Sequence, residues 1–108
     1  MPSTTICRGN ILYNILVGAT LTPVAVAQNT TAEQSFTVQG LQVNDFVQVA
    51  CQIAQTAGVG INNARVPAAN TLTVAFTNNT GGSLTPVSGS YSIEVNRPEN
   101  LPLPTNAV

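Results

Sequence analysis

The clearest pattern along this chain of 108 residues is an alternation of apolar and polar positions with a period of two. In residues 90–97, Tyr91, Ile93 and Val95 alternate with polar side chains, so that one face of an extended segment is apolar. Such alternation is typical of half-buried β-strands. The pattern predicts strands over residues 34–39, 46–53, 61–66, 71–77 and 90–97, with residues 20–27 also extended.

Turn-forming residues separate these segments, and no segment shows a helical period with caps. The spacing predicts an all-β fold, a small antiparallel β-sandwich or barrel of about six to eight strands. The inward-facing positions predict this core: Phe36, Val38, Val47, Val49, Leu72, Val74, Phe76, Tyr91, Ile93 and Val95.

Two terminal segments lie outside the alternating body of residues 20–97. Residues 1–19 are interpreted as an N-terminal arm or an edge strand. Residues 98–108 carry three prolines and are interpreted as an extended tail, which is either disordered or a strap laid on a neighbouring subunit.

Residues 1–27 match a signal peptide poorly, because polar residues and Pro23 interrupt the apolar stretch, so a secreted immunoglobulin-like domain is a minor alternative. No apolar run is long enough for a transmembrane helix.

The charge content excludes several classes of function. The chain has three basic and four acidic residues, no His and a net charge of −1. This balance predicts neither nucleic-acid nor membrane-surface binding. Without His there is no conventional nucleophilic triad or imidazole metal site, so we expect no enzyme, no metal and no cofactor. Asp45 and Glu94 are the only carboxylates expected near the strands, and we interpret them as solvated or turn-capping acids.

Two cysteines occur, without any motif spacing. Cys7 and Cys51 are interpreted as free thiols, with a single disulfide between them as the alternative. Alternation places Cys51 on the same face as Val47 and Val49, which predicts a buried, inert thiol.

A surface with so little charge is suited to lie against other protein. Arg65 and Arg97, at predicted strand ends, are interpreted either as contacts to a partner or as local ion pairs with Glu94 or Glu99. Apolar side chains in the terminal segments need a surface to cover them. The candidate interface residues are Ile6, Ile11, Leu12, Arg65, Arg97, Leu101 and Leu103.

One stretch, residues 57–98, resembles the small virion proteins of tailed bacteriophages. The similarity lies in Gly-Ile-Asn-Asn-Ala-Arg-Val at 60–66, Ala-Ala-Asn-Thr-Leu at 68–72, Phe-Thr-Asn-Asn-Thr-Gly-Gly at 76–82, and Tyr-Ser-Ile-Glu-Val-Asn-Arg-Pro at 91–98. Residues 33–49 resemble the upstream part of the same group. The N-terminal region with Cys7 has no place in this pattern.

The resemblance implies a decoration (cement) protein on the outer surface of a capsid. It implies the major capsid protein as partner and a homo-oligomer, with a trimer expected from the positions that cement proteins occupy. The alternative is a head-fibre or tail-associated module for host adhesion. The number of copies per particle distinguishes the two, because decoration needs hundreds and a fibre only a few.

Overall fold

The computed structural model describes residues 9–99, 103, 105 and 106. Within these residues the chain forms six β-strands and no helix, which confirms the all-β prediction. The strands are β1 (Ile11–Leu21), β2 (Thr30–Thr37), β3 (Phe46–Cys51), β4 (Val59–Ala68), β5 (Thr71–Asn78) and β6 (Gly89–Pro98).

The strands form two antiparallel sheets of three strands each. The first sheet has the order β1-β6-β3, and the second has the order β2-β5-β4. The central strands β5 and β6 are paired along both edges and bury one face against the other sheet. This arrangement explains why their alternation was the clearest in the sequence, and it gives the predicted sandwich.

The core lies between the two sheets. Eight of the ten predicted core residues are buried, and the other two, Phe36 and Val49, are half-buried and pack against them. Further core residues come from the ends of strands and from loops, and the alternation did not predict them. These are Leu21, Val26, Leu41 and Val66.

The N-terminal segment differs most from the expectation. Residues Ile11–Leu21 form the longest strand among the described residues and pair with β6 along its length. The boundary predicted between residues 19 and 20 therefore falls inside β1, and residues 11–19 take the edge-strand alternative. Residues 22–27 form no strand and contribute only an isolated bridge, in which Val26 N donates to Leu84 O at 2.7 Å. Pro23, which has no N–H to donate, accounts for the break.

Strand ends also differ from the sequence pattern. β2 begins at Thr30 rather than at residue 34, so it spans residues 30–37. β3 ends at Cys51, and Ile53, predicted to face inward with it, is exposed. β6 continues past this point to Gly89, so β3 ends before its partner does, which the alternation alone could not show.

Candidate interaction surface

Strand β1 carries the largest group of exposed apolar side chains in the described part of the chain. The group consists of Ile11, Leu12, Tyr13, Ile15 and Leu16. Leu16 lies on the outer face opposite Glu94 and is 72% exposed. Ile15 lies opposite the buried Val95, yet it is 45% exposed, so the second sheet leaves this part of β1 uncovered.

Two of these five residues, Ile11 and Leu12, were candidate interface residues, and both are exposed. Tyr13, Ile15 and Leu16 were missed. The available signal was the run of consecutive apolar residues, which the alternation rule does not recognise as a strand because it places apolar side chains on both faces.

The other edge strands carry protection that residues 13–19 of β1 lack. On β2, the side-chain amide of Gln34 forms two hydrogen bonds with the backbone of Val24. Its Nε2 donates to Val24 O at 2.8 Å, and its Oε1 accepts from Val24 N at 2.8 Å. β4 contains Arg65 and Pro67 and shifts register twice against β5. β3 packs beside β4. Charges, prolines and bulges are the usual devices that block edge-to-edge pairing.

Both ends of the described body leave the sandwich at the same place. Glu99 N donates to Asn10 O at 2.7 Å, and Ile11 pairs with Pro98 at the end of β1 and β6. We call this end, formed by Asn10, Ile11, Pro98 and Glu99, the terminal pole. Of the remaining predicted interface residues, Leu103 is exposed, whereas Ile6 and Leu101 lie outside the described residues.

Arg97 is held by contacts within the chain near this pole. Its Nε and Nη2 donate to the two Asp45 carboxylate oxygens at 3.0 and 2.8 Å, and Nη2 also donates to Gly40 O at 2.9 Å. The guanidinium lies 4.7 Å from the centre of the Tyr13 ring. Only 15% of the Arg97 side chain and 2% of the Asp45 side chain are exposed. Arg97 therefore forms an ion pair within the chain, but its partner is Asp45, whereas the predicted pairing was with Glu94 or Glu99.

Asp45 also performs the turn-capping role expected of it. Its Oδ2 accepts from Gln42 N at 3.0 Å, but the side chain is buried rather than solvated. Burial alone would raise the pKa of Asp45. The hydrogen bonds from Arg97 and the Gln42 amide, together with the charge of Arg97, outweigh burial and hold the pKa below the usual 3.8.

Arg65 also forms an ion pair within the chain, but with Glu33, which was not among its predicted partners. Its Nε and Nη2 donate to the Glu33 carboxylate at 2.8 and 2.7 Å across the outer face of the second sheet. The hydrogen bond from Arg65 lowers the pKa of Glu33 despite some desolvation. The Arg65 and Glu33 side chains are 52% and 43% exposed, so this pair stays open to solvent.

Asp45 and Glu94, the two carboxylates expected near the strands, lie in different surroundings. Asp45 faces inward with Arg97, whereas Glu94 lies on the outer face of the first sheet and accepts from Asn14 Nδ2 at 2.9 Å. Among the described residues, no group of three or more His, Cys, Asp or Glu side chains is arranged to hold a metal ion. No helix long and apolar enough to cross a membrane occurs in the described part of the chain.

Cys51 is less buried than predicted. Its thiol is free and half-buried at the end of β3, and Sγ donates to Ile53 O at 3.1 Å. The inward register was correct, but the end of the strand leaves one side of the thiol uncovered. Cys7 lies outside the described residues.

A shallow groove of about 340 Å³ crosses the outer face of the first sheet. Leu16, Gln48, Ser92 and Glu94 contribute to its lining, so apolar and polar groups are mixed there.

Comparison of the chain with protein-family models, with curated proteins and with solved structures finds no match.

Proposed function

We propose that this chain is a structural virion protein that decorates the outer surface of a phage capsid and stabilises it by bridging neighbouring major capsid protein subunits. The observation that carries the proposal is the terminal pole. There, both chain ends leave a sandwich with its own core, beside the exposed Ile11 and Leu12. The sequence resemblance of residues 57–98 provides the phage context.

The physical argument starts from the core. Because the two sheets bury their inner faces against each other, the sandwich does not need its terminal segments to complete that core. Segments that leave from one pole can contact different subunits at the same time. Two weak contacts on one rigid body then bind together more strongly than either alone, because the second contact forms at high effective concentration.

The C-terminal segment has the length and chemistry for such a contact. Pro98 and Glu99 are held at the end of β6, and the nine residues that follow, 100–108, would reach about 28 Å in a polyproline conformation. Pro102 and Pro104 reduce the conformational entropy lost on docking. Leu101 and Leu103 supply the apolar anchors, since spaced leucines are uncommon in tails that remain solvated.

The test is co-sedimentation of purified protein with empty phage heads that lack it. Changing Leu101 and Leu103 together to serine is expected to weaken binding, whereas changing Thr105 and Asn106 to alanine in the same tail is the matched control. Both variants should melt at the wild-type temperature, because the sandwich core is untouched. Equal binding by both variants would show that Leu101 and Leu103 do not contribute to the contact. Failure of the wild-type protein to bind heads would contradict the capsid role.

The alternative role, a head-fibre or tail-associated adhesion module, is favoured by one observation. The groove on the outer face of the first sheet combines apolar Leu16 with polar Gln48, Ser92 and Glu94, so it offers a ligand both apolar contact and hydrogen-bonding groups. Quantifying this protein in purified particles distinguishes the roles. Hundreds of copies support decoration, and a few copies support the adhesion module.

A further inference from the structure

We propose that β1 is an interface between two copies of this chain, in which the regular part of β1, residues 13–19, pairs antiparallel with β1 of a second copy about a two-fold axis at Leu16. The two three-stranded sheets then join into one six-stranded sheet. This inference concerns the protein in solution and does not depend on the capsid role.

The first support is the state of the β1 edge. β1 pairs with β6 along one side and forms the outer strand of its sheet. Its exposed residues Tyr13, Ile15 and Leu16 are apolar, and β1 contains neither a charged residue nor a proline. A long apolar edge without such protection is a template for pairing with another strand.

The second support is the symmetry of the strand about Leu16. The register of β1 against β6 shifts between Ile11 and Tyr13 and is regular from Tyr13 onward. In a two-fold antiparallel pair centred at Leu16, Leu16 faces its own copy and Ile15 faces Val17. Asn14 then faces Gly18, and Tyr13 faces Ala19, so that in each pair beside the axis a larger side chain meets a smaller one. Directly opposed residues of this kind are the unit of sheet stabilisation.

The same geometry identifies a second copy as the occupant. Residues 9–32 carry no charge, so an identical strand brings no unpaired charge to the interface. The nearest carboxylate on the outer face is Glu94, opposite Leu16. In the joined sheet the two Glu94 residues are three strand spacings apart, about 14 Å, beyond the screening length at physiological salt.

The small size of the contact sets the expected strength. Seven paired residues span about 24 Å along a sheet edge about 10 Å thick. This area is below that of a standard specific interface, so the dimer should dissociate on dilution. Sedimentation equilibrium across micromolar to millimolar concentrations is therefore the suitable measurement.

The experiment uses the full chain. The wild-type protein is expected to move with increasing concentration from the chain mass of 11.2 kDa to twice that mass. Leu16→Glu places two negative charges against each other at the axis and should remain at the chain mass. Val24→Glu is the matched control, because Val24 is an exposed residue of the loop after β1, and it should dimerise like the wild type. Circular dichroism and a thermal melt check that both variants keep the wild-type fold, because residue 16 lies opposite Glu94 in the same chain and the new glutamate faces a like charge there.

A cross-linking experiment tests the register. In a chain whose Cys7 and Cys51 are replaced by serine, Leu16→Cys should form a disulfide-linked dimer on mild oxidation. Thr20→Cys should not, because the two copies of residue 20 lie about 27 Å apart in this register. Three outcomes would overturn the proposal. The wild-type chain could remain a monomer, it could form a trimer, or the Leu16→Glu variant could still dimerise. Failure to bind phage heads would contradict only the capsid role and would not affect the proposed β1 dimer.

Discussion

Replacing Asp45 with asparagine would remove the negative charge from the buried pair with Arg97 while keeping the shape of the side chain. The carboxylate accepts two hydrogen bonds from Arg97, at 3.0 and 2.8 Å, and one from Gln42 N, at 3.0 Å. An asparagine amide has a donor group where one of these acceptors stood. In the variant, the Nδ2 group of the asparagine therefore faces an N–H group of Arg97 or Gln42, and the Arg97 guanidinium loses its counter-charge.

The expected loss of stability follows from the burial of the pair. Removing one partner of a buried ion pair costs about 3–5 kcal/mol. Because Arg97 keeps its bond to Gly40 O and its position over the Tyr13 ring, we expect a value near the lower end, about 3 kcal/mol. With an unfolding entropy of about 2.1 cal/mol/K per residue over the 108 residues, this corresponds to a melting temperature lower by about 13 °C.

The assay is thermal unfolding followed by circular dichroism, with urea denaturation as a second measure. Glu33→Gln is the matched control, because Glu33 and Arg65 form the same two-bond contact in an exposed position. The control should melt within experimental error of the wild type, since exposed ion pairs contribute little. If Asp45→Asn melts like Glu33→Gln, burial does not determine the value of these pairs and the reasoning is wrong.

Two further predictions concern pH and a buried amide. Because the pKa of Asp45 is lower in the folded chain than its unfolded value of 3.8, its stabilising contribution is complete well above pH 3.8 and is lost as the pH falls through the folded pKa. The difference in urea midpoint between wild type and Asp45→Asn should therefore be constant near neutral pH and shrink in strong acid, and a constant difference throughout would contradict this. Asn78, fully buried, donates to Val26 O and Gly82 O and accepts from the N–H and hydroxyl of Thr80. Asn78→Ala should cost about 2–4 kcal/mol in urea denaturation because it removes four hydrogen bonds from a buried site and takes the acceptor away from Thr80 N–H, and a loss well below that would show that water replaces the amide.

The central strands could be predicted because their environment is simple. Tyr91, Ile93 and Val95 on β6 face one core, and both edges of that strand are paired, so alternation alone identifies the inner face. The same holds for Leu72 and Val74 on β5. Composition likewise indicated a weakly charged surface.

The pairings near the candidate surface could not be predicted in the same way. Asp45 and Arg97 are separated by 52 residues, and nothing local distinguishes Asp45 from Glu94 or Glu99 as the partner of Arg97. Arg65 likewise pairs with Glu33, 32 residues away, because β4 and β2 flank β5 in the second sheet and their side chains meet across it.

The amino-acid sequence by itself determined the β-structure, the inner faces of β5 and β6, and most of the core, because period-two alternation is a local property of the chain. Only the tertiary structure decided that residues 11–21 form the outer strand of the first sheet, with apolar groups exposed on both faces. A run such as Ile-Leu-Tyr-Asn-Ile-Leu-Val at 11–17 has no alternation to read. Whether such a run is buried or exposed depends on which strands lie beside it and how far the opposite sheet extends, and these are properties of the assembled sandwich.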